Sequence, residues 1–298
     1  MDDTLLVLGA GTMGAQIAQQ AALQGVPVQL VDVSQEQLHR AVAENFGHLE
    51  RSVAKGRITN AEATAALDRV VTTTHLADAA SSASWAIEAI VEDLRAKRQV
   101  FAELDTHLPP DAGIASNSSN IVVSRLATAT TRPQLCCNMH FFHPVLVMDL
   151  CEIAPGPDTA EETISQAIRW AERMRRRPIL LRHEVDGFLV NRVLGAATRE
   201  AFTLLDAGVA SFMDIDAAVA AGLRWPLGPF QLCDFNGIDT VLGVRRDRLA
   251  REHHEGDAAT VRVLEQLVEA GRLGRKSGRG FYDYATTPPT PIALPNKR

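Results

Sequence analysis

The hexad Gly9-Ala10-Gly11-Thr12-Met13-Gly14 constrains this chain more than any other feature. It follows the apolar run Leu5-Leu6-Val7-Leu8 and opens an apolar stretch that reaches about Leu23. A strand over 4–8, a glycine turn and a helix in that order form the start of a dinucleotide-binding unit. The first glycine permits the tight turn, the second lets backbone approach a pyrophosphate, and the third lets helix and strand pack closely. The helix N-terminus then offers unpaired N–H groups and a partial positive charge to the phosphates. Glycine turns are common, so the hexad alone leaves a plain turn equally open. Asp32 shifts the balance, because it ends a second apolar run, Val26 to Val31, where a carboxylate can accept both ribose hydroxyls of adenosine. That carboxylate would repel a 2′-phosphate and no arginine follows it immediately, which selects NAD over NADP.

Beyond the hexad, the spacing predicts a long helix to about Lys55, with a polar break at Lys55-Gly56-Arg57. Further short strands are expected near Val70-Val71, Ala86-Ile87, Gly113–Ala115 and Leu135–Asn138, with a helix carrying Leu94, Phe101, Leu104 and Leu108. Strands alternating with helices imply an α/β fold, a Rossmann-type doubly wound and mainly parallel sheet covered on both faces. After Pro178–Leu181 the pattern changes. Val190, Leu194, Ala197, Ala201 and Leu205 form one apolar stripe, and Phe188, Gly195 and Phe202 fall on other sides of the same predicted helix. A helix apolar on several faces wants several neighbours. Residues 1–183 are therefore expected to form the NAD-binding domain, and 184–298 an all-helical substrate and dimerisation domain with a homodimer as its assembly. The Pro-rich tail from Thr286 is expected to fray.

Composition narrows the partners. A net charge of -6 points to neither nucleic acid nor anionic membrane. No apolar run reaches the roughly 18 residues that span a bilayer, and the N-terminus lacks a basic, cleavable signal. The 4 cysteines, Cys136, Cys137, Cys151 and Cys233, form no C-x-x-C pair, so neither a disulfide framework nor a metal site is expected and a cytoplasmic location is.

The chemistry points to His140 and Glu152. His140 ends the apolar run Leu135–Met139 and Glu152 lies within Leu150-Cys151-Glu152-Ile153. Oxidising a secondary alcohol by hydride loss needs a base for the hydroxyl proton. An imidazole supplies one near neutral pH, and a buried carboxylate holds its tautomer. Taken singly, a histidine beside aromatics and a glutamate on a strand are also ordinary core and edge residues. Ser116-Asn117-Ser118-Ser119-Asn120 follows a strand, where ligands meet an open parallel sheet, and it also suits a helix-capping turn. Asn191 is polar amid the apolar start of a helix. His39, His75 and His253-His254 sit among polar neighbours and are expected in solvent, and Arg173–Arg177 reads as a helix end.

Over nearly its whole length the sequence resembles the L-3-hydroxyacyl-CoA dehydrogenase family. The likeness rests on the glycine turn with Met13, Glu88-Ala89-Ile90-Val91-Glu92-Asp93, Ser116–Ser119, His140-Phe141-Phe142, Glu152, Asp186-Gly187-Phe188 with Asn191-Arg192, Pro226–Phe230 and Gly278–Tyr282. The resemblance implies NAD-dependent, reversible oxidation of a 3-hydroxyacyl-CoA thioester to the 3-ketoacyl ester, with His140 as general base oriented by Glu152. It implies that Ser119 and Asn191 hold the reacting oxygen and the thioester end. Cofactor contacts are implied at Gly9, Gly11, Thr12, Met13, Gly14, Asp32, Ala89, Glu92, Lys97, Asn117, His143 and Lys276, and a coenzyme A contact at Lys55. His143 stands where asparagine is expected, Asp149 where lysine is common, Leu146 for proline and His48 for serine. These departures keep open a second reading, the same chemistry on an acyl carrier protein. A third, a non-catalytic NAD-binding protein, is opposed by the intact His140, Glu152, Ser119 and Asn191.

Overall fold

The computed structural model describes residues 3–252 and 255–295, and the chain divides into two compact units, Met1–Leu189 and Val190–Arg298. In the first unit, strands β1 (Thr4–Leu8), β2 (Val28–Val31), β3 (Val70–Thr73), β4 (Ala83–Glu88), β5 (Gly113–Ser116), β6 (Cys136–Phe141), β7 (Leu150–Pro155) and β8 (Arg177–Leu180) form one sheet of 8 strands. Its order is β3-β2-β1-β4-β5-β6-β7-β8, and every pair is parallel except β6 with β7. Helices α1 (Thr12–Leu23), α2 (Gln35–Ala54), α3 (Asn60–Asp68), α4 (Leu76–Ala80), α5 (Leu94–His107), α6 (Ser124–Ala127) and α7 (Glu161–Arg173) connect the strands. The alternation in β1 shows why both faces are covered. Leu5 and Val7 enter one buried cluster with Ile17 and Trp170, while Leu6 and Leu8 enter another with Phe101 and Leu104. The chain runs outward from β1 in both directions, so the strand order reverses between β1 and β4, and the crevice at their carboxyl ends is the standard ligand position of such a sheet.

Helix α1 owes its close approach to small residues, since Gly14, Ala15, Ala18, Ala21 and Ala22 are all buried. It stops at Gln24-Gly25, where Gly25 takes φ 83° and the Val26 N–H turns back to Ala21 O. The opposite edge, β8, is blunted by Pro178, which has no N–H to offer a further strand.

The division between units falls at Leu189 rather than at residue 183. Leu181 and Phe188 pack with Ala154, and the Leu189 N–H donates to Glu152, which ties this segment to the first unit. Phe188 also lies outside the helix that the periodicity predicts, in a turn with φ 46°.

The second unit holds α8 (Val190–Asp206), α9 (Phe212–Leu223), α10 (Pro229–Asn236), α11 (Ile238–Glu252) and α12 (Glu255–Glu269), with a small hairpin of β9 (Tyr282–Asp283) and β10 (Thr290–Pro291). The buried face of α8 is Gly195, Thr198, Ala201 and Phe202, whereas Val190 on the expected stripe is 38 % exposed. Phe202, Phe212, Phe230 and Phe281 stack edge to tilt around one centre. The tail is not frayed over its described part. Ile292 N–H donates to Phe281 O, and the Arg272 guanidinium donates to the carbonyls of Gly280, Ile292 and Ala293. The expected solvent position of His253-His254 lies outside the described residues.

Candidate active site

The glycine turn is built by exclusion. Gly9 takes φ 95° and a methyl there would stand 2.6 Å from Ala89 O, while a methyl on Gly14 would overlap the Gly9 carbonyl. Gly11 has open space where its side chain would point. Helix α1 begins there with no side-chain cap and no acidic residue in its first turn, so its N-terminal field is uncompensated. Thr12 is exposed and Met13 packs against the core. Asp32 braces the turn, accepting from the Ala10 N–H at 2.8 Å and from the Ser34 N–H at 2.9 Å. A carboxylate has about four acceptor positions, so Asp32, which is only half-buried, keeps capacity for a ribose diol. Open backbone at Gly11, an unneutralised helix terminus and a part-exposed carboxylate fit a dinucleotide.

The neighbouring strand ends carry the remaining first-unit residues. Ala89 donates its N–H to Leu8 O, which fixes the loop after β4 against β1. Glu92 accepts from the Ser118 hydroxyl and from the Asn120 N–H, and thereby shapes the turn that carries Ser119. Asn117 accepts from the Phe141 N–H at 2.9 Å, tying the end of β5 to the end of β6. His143 is exposed just beyond.

His140 and Glu152 are directly opposed residues of the antiparallel β6–β7 pair, with Nδ1 and Oε2 2.9 Å apart. His140 is 6 % exposed and Glu152 1 %. The other oxygen of Glu152 accepts from the Leu189 N–H at 3.0 Å. Because a carboxylate only accepts, the Nδ1 proton belongs on the imidazole, and the lone pair of the neutral ring is then on Nε2. Phe142 and Phe188 flank the ring, with centroids 4.5 and 5.3 Å away. An imidazole held this way leaves Nε2 as its proton-accepting atom, with a carboxylate in place to offset an imidazolium.

Lys97, where the resemblance implies a cofactor contact, has a side chain 1 % exposed and an ammonium 2.6 Å from Glu88. Lys55 is exposed at the end of α2. Asn191 stands in the first turn of α8 and Lys276 pairs with Asp239 at 2.6 Å, both within the second unit. Two residues quoted in the sequence motifs were given no role of their own: Phe188, which lines the imidazole from a left-handed turn, and Glu88, fully buried at the end of β4. A carboxylate closing an otherwise apolar strand was the available signal for Glu88. A cavity of about 400 Å³ between Asp3, Asp111, Arg169 and Trp170 lies at the amino ends of the strands, away from this chemistry, and its Arg173 is already paired with Asp3. Among the described residues no cluster of His, Cys, Asp and Glu suits a metal ion, and no helix is long and apolar enough to cross a membrane.

Residues 4–185 match the family described as 3-hydroxyacyl-CoA dehydrogenase, NAD binding domain, and residues 187–284 match the corresponding C-terminal domain. The chain is 39 % identical over 289 residues to a 3-hydroxybutyryl-CoA dehydrogenase of Bradyrhizobium diazoefficiens, covering 96 % of each. It is 38 % identical to one of Mycobacterium tuberculosis, covering 93 % of this chain and 97 % of that one. The crystal structure of an (S)-3-hydroxybutyryl-CoA dehydrogenase from Ralstonia eutropha superposes with a TM-score of 0.88 at 34 % identity, over 96 % of this chain and 100 % of that one.

Proposed function

We propose a mechanism that proceeds from one premise: the chain belongs to the 3-hydroxyacyl-CoA dehydrogenase family and is an NAD-dependent oxidoreductase acting on 3-hydroxyacyl-CoA thioesters. NAD, when bound, supplies the acceptor for the hydride leaving the carbinol carbon. His140 Nε2 takes the hydroxyl proton as the carbon–oxygen double bond forms, and returns it in the reverse direction. Glu152 holds the ring by Nδ1 and offsets the positive charge that the proton brings. Ser119 holds the reacting oxygen. Gly9, Gly11, Thr12, Met13, Gly14 and Asp32 hold the dinucleotide, with Ala89, Glu92, Asn117 and His143 beside it. The roles of Ser119, Asn191, Lys55 and Lys276 are proposed from the family resemblance alone. The observation that carries the reading is the 2.9 Å contact between His140 and Glu152 on paired strands.

The relatives act on coenzyme A esters by name, and a carrier-protein thioester finds no support among them. Pairing of two copies through the second unit is supported by exposed apolar side chains there, including Val193 and Val209, each 67 % exposed. A cytoplasmic setting is supported by four free, buried cysteines. The substrate is tested by following NADH formation with 3-hydroxybutyryl-CoA, the free hydroxy acid and a carrier-bound hydroxyacyl group. Efficient turnover of the coenzyme A ester alone is expected; preference for the carrier-bound substrate would overturn the assignment.

A further inference from the structure

Helix α1 buries two glutamines one turn apart, Gln16 and Gln20, while its Ile17, Ala18 and Ala21 enter the core shared with the sheet. Each glutamine reaches a different segment beside β7, the strand that carries Glu152. Gln16 Oε1 accepts from the Val145 N–H at 2.8 Å, in the loop 142–149 between β6 and β7. Gln20 Nε2 donates to Met174 O at 2.7 Å, just ahead of β8. The buried Arg176 closes the circuit, donating from Nη1 to Met148 O at 3.0 Å. Val145 is itself fully buried, and the loop turns tightly there, with the Val147 and Met148 N–H groups both donating to Pro144 O.

We infer that Gln16 is a positioning residue for the reaction. Through this side chain the helix that opens on the glycine turn holds the loop that bears His143. Strand pairing reaches that loop only indirectly, because β4 and β5 stand between β1 and β6 in the sheet. An apolar residue at 16 would pack against the core equally well and would leave the loop untied. Burying an amide costs free energy unless it is bonded, and once satisfied it specifies one geometry. Here that geometry is the placing of the loop against the cofactor helix, where a displacement of about 1 Å can cost about a hundredfold in rate. The inference rests on the role proposed above for His143.

In the parent protein the Val145 amide is expected to exchange at least about a hundredfold more slowly than an open loop amide. Gln16→Met is close in length and lacks the acceptor. It is expected to speed exchange at residues 145–148 by about tenfold or more, while the amides of β1 keep their protection. Its turnover is expected to fall by about tenfold to a hundredfold. NADH affinity is expected to stay within about threefold of the parent, because the glycine turn and Asp32 are untouched. The loss of turnover is expected to shrink to about twofold or less when His143→Ala is already present. An unprotected Val145 amide in the parent would overturn the inference, even if Gln16→Met failed to fold. Unchanged turnover in Gln16→Met would overturn it too, as would a loss of NADH affinity in step with the rate. Where His143→Ala itself lowers turnover, a loss fully additive with it would do the same. Unchanged turnover in His143→Ala alone would instead remove the role given to His143, and the exchange and turnover of Gln16→Met would still decide the case of Gln16.

Discussion

At the scale of single residues, the proposed acid/base pair owes its precision to strand pairing. Directly opposed residues of an antiparallel pair bring their Cβ atoms within about 5 Å, so an imidazole at 140 meets a carboxylate at 152 without relying on a flexible loop. Glu152→Gln keeps an acceptor for the Leu189 N–H but removes the charge that offsets the imidazolium. Turnover in that variant is expected to drop by about 10²–10⁴, with little change in thermal midpoint; steady-state rates and a melting curve check both. His140, Glu152 and Asp32 were legible because each is a polar residue at the end of, or within, an apolar run. Phe188 was not, since its apolar spacing imitates one more helical turn while its backbone adopts φ 46°. The burial of Lys97 against Glu88 was hidden as well, because a lysine on a helix gives no sign of an internal partner.

At the scale of elements, the opening strand, turn and helix do the most to place the cofactor, and the glycines within it answer to different demands. A methyl on Gly14 would drive α1 off Gly9, whereas one on Gly11 would meet open space. Gly14→Ala is therefore expected to lose both thermal stability and NADH binding. Gly11→Ala is expected to melt like the parent and lose binding alone, because the added methyl stands where the pyrophosphate must approach. Melting curves and NADH fluorescence titrations separate the two; equal loss of stability would contradict the assignment. The parallel strands were readable as short apolar runs. The reversal of β7 was not, because an isolated run carries no direction. The docked tail was also hidden, since Arg272, which holds the carbonyls of Ile292 and Ala293, lies far from them in sequence.

At the scale of the whole molecule, both units bury charged groups beside an apolar core, Lys97 with Glu88 in the first and Arg245, Asp257 and Asp234 in the second. Arg245 and Asp257 meet at 2.9 Å with side chains 7 % and 0 % exposed. Asp234, also fully buried, accepts from the N–H groups of Phe281 and Tyr282 and from the Tyr284 hydroxyl. Burial outweighs these bonds and pushes its carboxyl up to about 6. The folded state therefore holds this proton more tightly than the unfolded chain does. The contribution of Asp234 to stability is full below its ordinary value of 3.8, falls as pH rises to about 6, and stays flat above. Urea titrations of the parent and Asp234→Asn are expected to show the parent's relative stability declining across that window; a relative stability that rises with pH there would contradict the assignment. None of this was legible beforehand, because the partners of Asp234 and Asp257 come from remote segments.

The most direct test of the account concerns the proton. Turnover of 3-hydroxybutyryl-CoA and NADH affinity should be measured together in His140→Gln. A fall in turnover of about 10³ or more with NADH affinity unchanged is the expected result. Turnover within about tenfold of the parent, or loss of NADH affinity in step with the rate, would contradict it.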